Sequence, residues 1–286
     1  MSEEDHRSTI RHILVALDTS HHSLAALEAA AALAEALAAR LEGLFVEDIN
    51  LVRLAGISVA REARYPFVTT GALDQARMER DLRGQAQQAR RALATMCQAR
   101  KIQWTFRVLR GEVTQQILEA AQEVDLLILG KASRPFTPRV RMGSTARAVT
   151  AQASSAVLLT QRGLHLASPV LVTYDGSSSA EKALGMALLL TKKALAGSTG
   201  GSRLTIAIVA NKLDRAQELT ARVASRLRGQ PVYVRYRPLP ELRVSLLAGL
   251  VRAEKTGLFV LPGAPMAADD VHALLDEIEC PALVIR

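Results

Sequence analysis

The chain is poor in the residues on which several common functions depend. Aromatic residues make up only 3% of its 286 residues, with one Trp, four Tyr and five Phe. Single-strand nucleic-acid binders stack successive bases on aromatic side chains, so no nucleic-acid partner is expected. Two cysteines, Cys97 and Cys280, are too few and too far apart for a disulfide framework or a zinc site. The six histidines add no metal-ligand spacing to them. The longest apolar stretch, Leu24 to Ala39, is broken by Glu28 and Glu35 and is too short to span a bilayer. The opening residues, MSEEDHRST, are acidic and polar, unlike a secretory leader. Neither G-x4-G-K-[ST] nor G-x-G-x2-G occurs, which removes the P-loop and the usual dinucleotide fingerprint. The expectation is a soluble cytoplasmic protein with reduced thiols and no membrane partner.

What remains is an ordinary globular mixture, 49% hydrophobic and 22% charged, with a net charge of +8. The length is about twice the commonest domain size of roughly 100–150 residues, which favours two domains. Residues 1–167 hold 21 basic and 17 acidic side chains, and residues 168–286 hold 15 and 11. Each part carries the same small excess, so there is no basic tail or basic domain.

The two-domain expectation becomes specific through an internal repeat. Residues 12–27 read HILVALDTSHHSLAAL and residues 169–184 read PVLVTYDGSSSAEKAL, with Asp18 matching Asp175 and Ser20 matching Ser177. VDLLILG (124–130) then matches TGLFVLP (256–262), and SAVLL (155–159) matches PALVI (281–285). Three matched elements in one order indicate a tandem duplication, with domains at 9–162 and 168–286 joined near RGLHLAS (162–168).

Apolar runs alternate with helical patterns in both copies. In the first, strands are expected at 12–18, 41–48, 103–110, 125–130 and 155–160. Helices are expected at 22–40, 72–100, 113–122 and near 144–152. Leu24, Leu27, Ala31, Ala34 and Ala38 should form the buried face of the first helix. The second copy repeats the scheme with strands at 205–210, 232–237 and 258–262 and helices near 214–228 and 241–254. Strands without polar alternation, separated by helices, form parallel sheets covered on both faces. The fold class is α/β, as two tandem doubly wound parallel-sheet domains. Residues 49–71 have no counterpart in the second copy and suit either a cover over a ligand or an interface.

Ligands of open parallel sheets bind at the carboxyl ends of the strands. Asp18 lies there, as a ligand contact or as a turn residue beside the cap that Thr19 or Ser20 supplies. The stretch 131–147 carries Lys131, Arg134, Arg139, Arg141 and Arg147 and no acid. Gly130 and Gly143 allow close backbone approach to an anion, and Gly143-Ser144-Thr145 sets amides and hydroxyls at a helix N-terminus. A nearby negative charge gains about 0.3–1 kcal/mol from the helix dipole. The bland alternative is a mobile basic surface loop.

The spacing Gly130-x2-Ser133-x9-Gly143-Ser144-Thr145 resembles the nucleotide loop of the universal stress protein family, G-x2-G-x9-G-S/T. VALDTSHHS, VTYDGSSSA and Gly111 in LRGEVTQQILEAA are similar to that family as well. The resemblance runs along nearly the whole chain as two copies, and it implies an adenine-nucleotide alpha-hydrolase-like fold. It further implies that Asp18 and the backbone near Ala16 and Val46 hold adenine and ribose. Gly130, Ser133, Gly143, Ser144 and Thr145 would then hold the phosphates of ATP or a related adenine nucleotide, with Mg²⁺ as an optional companion. Ser133 departs from the family's glycine, and a positive φ there would strain it.

In the second copy the matching stretch 263–280 has no Gly-Ser-Thr and no Lys or Arg, and it carries Asp269, Asp270, Asp276, Glu277 and Glu279. Acids repel a triphosphate, so this half is expected to be nucleotide-free, with Asp175 as a turn residue. GSTGGSR (197–203) joins a helix to the start of a strand, the wrong sheet edge for a phosphate loop. His21 and His22 are expected exposed, and both cysteines inert. The resemblance implies that 155–160 pairs with 281–285 as an internal pseudo-dimer, with a homodimer as a further assembly. Three functions stay open: a ligand-dependent stress-response module, a slow ATPase, and a nucleotide-free scaffold.

Overall fold

The computed structural model of the chain describes residues 10–18, 20–55, 61–63, 70–72, 75–131, 141–161, 165–193, 202–263 and 266–286, with side chains set aside at 55, 61–63 and 70–72. The first half runs β1 (His12–Ala16), α1 (His21–Leu37), β2 (Arg40–Asp48), α2 (Ile49–Ala55), β3 (Arg61–Ala63), β4 (Thr70–Ala72) and α3 (Gln75–Arg100). It continues with β5 (Trp104–Gly111), α4 (Val113–Ala121), β6 (Leu126–Gly130), α5 (Ser144–Gln152) and β7 (Ala156–Thr160). The second half runs β8 (Val170–Tyr174), α6 (Ser178–Lys193), β9 (Arg203–Val209), α7 (Leu213–Arg226), β10 (Tyr233–Leu239), α8 (Val244–Ala253), β11 (Leu258–Pro262), α9 (Ala268–Glu277) and β12 (Ala282–Ile285).

Ten strands form one sheet in the order β10-β9-β8-β11-β12-β7-β6-β1-β2-β5. Every pairing is parallel except β12 with β7, where Ala282, Leu283 and Val284 run antiparallel to Leu159, Leu158 and Val157. The duplication is visible in register. Ile13 stands beside Leu126 in the first half, and Val170 beside Leu258 in the second. The central strands are apolar at nearly every position because helices cover both faces, and β8 and β11 are buried throughout. One core, built on Val15, Leu27, Tyr174 and Leu283, lies under α1, α3, α6 and α7. The other, built on Leu127, Val157, Phe259 and Val284, lies under α4, α5, α8 and α9. Both cores continue across the β7–β12 joint.

Three local expectations are corrected. Leu24 is 47% exposed, and the buried face of α1 is set by Ser23, Ala26, Leu27, Ala30, Ala31 and Ala34. The helix is apolar nearly all round, so its periodicity did not fix the rotation; it ends at Leu37, and Ala38 is an exposed αL cap. His22 is buried at 6% exposure, while its neighbour His21 is exposed. The stretch 263–280 is mostly helix α9, whose first-turn Asp269 and Asp270 complement the helix dipole.

Candidate functional site

A cavity of about 730 Å³ opens at the carboxyl ends of β1, β2 and β6. Its position follows from topology. The chain leaves β1 towards the sheet face covered by α1 and leaves β6 towards the face covered by α5. Adjacent strands whose connections diverge leave a crevice between them. Ala16 at the end of β1, Asp18 just after it, Val46 on β2, Gly130 at the end of β6, and Gly143, Ser144 and Thr145 at the start of α5 all line it. Ser133 lies outside the described residues, as do Arg134, Arg139 and nearly all of GSTGGSR.

Asp18 has a local duty. Its Oδ1 accepts the Ser20 N–H at 2.8 Å, and Ser20 Oγ accepts the Ser23 N–H at 3.2 Å as the N-cap of α1. The second half repeats the unit: Asp175 Oδ1 accepts the Ser177 N–H at 2.9 Å, and Ser177 Oγ accepts the Ala180 N–H at 3.2 Å. The repeated Asp-x-Ser is therefore a helix-starting device in both halves, and in the first it also faces the cavity. Asp18→Ala and Asp175→Ala should each lower stability by about 1 kcal/mol in denaturant melts. A difference of several kcal/mol between them would show that the two units are not equivalent.

Gly130 likewise has a packing reason. A Cβ there would sit 2.9 Å from His22 Cβ and 3.0 Å from the His22 carbonyl carbon, so its glycine admits the first turn of α1. Gly143 is the N-cap of α5 at φ −68°, ψ 161°, angles open to any residue, and no side chain caps the helix. Its own N–H donates to Lys131 O at 2.9 Å. Among the described residues, the N–H groups of Ser144 and Thr145 meet no acceptor, and both residues border the cavity. That end suits an anion, with Arg141 on the same wall.

The cavity wall also carries acids, and the sequence reading missed most of them. Asp48 and Glu112 join Asp18 on the cavity wall. Asp48 Oδ1 accepts the Asn50 N–H at 2.9 Å, and Glu112 Oε2 caps α4 at the Gln115 N–H, 3.2 Å away. Both stand at strand ends, so the carboxyl-end rule would have found them. Asn50 and Leu51 of α2 and Leu82 and Gln85 of α3 complete the wall. No sequence signal marked these four. Their presence gives α2, the first part of the 49–71 insertion, a place at the cavity.

Lys131 is buried at 6% exposure beside the cavity, and its Nζ donates to Ile278 O at 3.2 Å. Burial lowers its pKa, opposed by Asp276, Cys280 and Glu279. Burial pushes the Cys280 thiol up to about 12 and Cys97 to about 11, so neither is a nucleophile at neutral pH.

The second half closes the matching position. Gly176, at φ +84°, follows Asp175, and a Cβ there would sit 2.7 Å from Leu219 Cδ2 and 3.2 Å from Arg215 Nη2. Helix α7, starting four residues after β9 ends, packs directly over the turn. A second pocket of about 30 Å³ lies instead at the amino ends of β8 to β10, beside Pro169, Arg203 and Tyr233. Among the described residues no group of three His, Cys, Asp or Glu side chains could hold a metal ion, and no helix is long and apolar enough to cross a membrane.

A family model described as the universal stress protein family matches residues 9–161. No curated protein matches the sequence. Among solved structures, a universal stress protein from Archaeoglobus fulgidus is similar at a TM-score of 0.72 and 17% identity, covering 96% of both chains. A functionally unknown protein from Pseudomonas aeruginosa is similar at a TM-score of 0.58 and 13% identity, covering 98% of this chain and 94% of its own. These likenesses are of fold.

Proposed function

The chain belongs to the universal stress protein family as a tandem member, and from that premise we propose that its first half binds an adenine nucleotide such as ATP. The protein would then act as a stress-response module whose state depends on that ligand. The observation that carries the reading is the lining of the 730 Å³ cavity, which combines anion-binding amides with hydrogen-bond-accepting carboxylates. It is bordered by the uncapped start of α5 at Ser144 and Thr145, by Arg141, and by the carboxylates of Asp18, Asp48 and Glu112. A nucleotide offers partners to both, phosphates for the amides and amine and hydroxyl donors for the carboxylates. The volume falls within the roughly 300–1,000 Å³ of small-molecule sites.

Within this reading Ala16, Asp18 and Val46 hold the base and ribose, and Gly130, Gly143, Ser144 and Thr145 lie along the phosphates. Ser133 keeps its place in the proposed loop on spacing alone. Mg²⁺ would be an optional companion of the phosphates in this reading. Binding without turnover is favoured over hydrolysis. Each cavity carboxylate already accepts a backbone N–H, and Lys131 is turned towards Ile278. The second half, closed by α7, takes no nucleotide.

Freshly purified protein, denatured and passed through a filter, should release an adenine nucleotide seen by absorbance at 260 nm and by mass, or should bind added ATP in calorimetry. Neither release nor binding would leave the nucleotide-free scaffold as the better account. Phosphate release with ATP should stay at background for wild type and for Asp18→Ala alike. A clear wild-type rate lost in the variant would restore the enzyme reading.

A further inference from the structure

The acids of α9 do more than decorate a closed half, because one of them reaches the other half's loop. Asp276 Oδ1 accepts the Met142 N–H at 2.7 Å. Its Oδ2 pairs with the Arg147 guanidinium, whose Nε lies 3.4 Å from Met142 O. A carboxylate and a guanidinium thus hold the N–H and the C=O of Met142, the residue before the α5 N-cap. One turn earlier on α9, His272 Nε2 lies 3.1 Å from Arg147 O. At the loop's other end, Lys131 Nζ donates to Ile278 O, the C-cap of α9, while Lys131 O holds the Gly143 N–H. Both described ends of the 131–143 segment are therefore held from one helix of the opposite half.

We propose that α9, acting chiefly through Asp276, is a positioning element for the anion end of the first-half cavity. It fixes the Met142–Gly143 linkage so that the Ser144 and Thr145 amides stay aimed at a bound phosphate. This rests on the nucleotide reading above for its ligand, but the positioning itself does not. By this account the second half keeps its acidic segment as a brace for the loop of the first half. Charge-assisted pairs of this kind are the strong ones, and their loss should be felt in affinity without touching the ligand directly.

The full chain is compared as wild type, Asp276→Ala and Asp276→Asn, with Glu279→Ala as an acid of the same segment that makes none of these bonds. Two measurements are made: ATP affinity by calorimetry and amide exchange at Met142 and Ser144 without ligand. Asp276→Ala should weaken ATP about tenfold or more and speed exchange at both amides by a similar factor. Asp276→Asn keeps an oxygen for the Met142 N–H and should recover part of each effect. Glu279→Ala should match wild type. Unchanged exchange in Asp276→Ala overturns the proposal, as does unchanged ATP affinity where wild type binds ATP. If wild type binds no ATP, the nucleotide reading fails, and the exchange measurement still decides the brace. If Asp276→Ala does not fold, Asp276→Asn decides by the same two readouts.

Discussion

Gly143→Val should reduce ATP affinity by about a hundredfold or more, to the edge of detection in calorimetry or beyond it, while leaving the protein folded. The size follows from what a side chain would cover. Gly143 borders the cavity directly ahead of the amides of Ser144 and Thr145. Excluding a phosphate from two amides removes two hydrogen bonds to a charged group, each worth about 1.5–3 kcal/mol. The backbone itself does not object. At φ −68°, ψ 161° valine sits in extended geometry, and trading an N-cap glycine for valine costs about 1 kcal/mol or less. The thermal midpoint should therefore fall by only a few degrees. An unchanged isotherm with an intact melt would take the loop out of the site. Gly130→Val is a poorer test, because its Cβ would strike the first turn of α1 before it met any ligand.

That contrast marks how far the site was legible. Glycine, aspartate and serine at strand ends signalled a ligand, and the structure gathers Asp18, Gly130, Gly143 and Ser144 at one cavity. Yet Asp18, like Asp175, starts a helix, and Gly130 admits one. Sequence shows that a position demands a residue type, but local folding and binding can make the same demand. Asp48 and Glu112 passed unnoticed although they obey the same strand-end rule. Leu82 and Gln85 lie on a long charged helix whose pattern reports only its buried stripe. Asp276 was the most misleading case: as a charge in its own half it excluded an anion, and only the tertiary fold brings it to Met142 and Arg147. The fold was easier, since strand and helix periods repeat locally in both copies and a duplication constrains each by the other. What the periods did not fix was rotation on a helix as uniformly apolar as α1.

Leu283→Asp should unfold the protein as a whole, not its second half alone. Leu283 is 1% exposed in the middle of β12, opposite Leu158, itself 1% exposed on β7. Among the described residues the joint pairs apolar side chains, so a carboxylate there would be buried without a partner, a loss on the order of 4 kcal/mol or more. The cost does not stay local, because the core under α1 and α6 contains Leu158 and Leu283 together, and the opposite core contains Val157 and Val284. A sheet that runs unbroken through ten strands offers no plane along which one half can melt with its apolar surface still covered. Circular dichroism and amide exchange in β1 and β6 should report one transition shared with β8 and β11, and the variant should lose protection in all four strands. Survival of β1 and β6 with native protection would mean that the first half folds alone. The brace from α9 would then act across an interface between independent units, and the loop's order would depend on docking instead of on a common core.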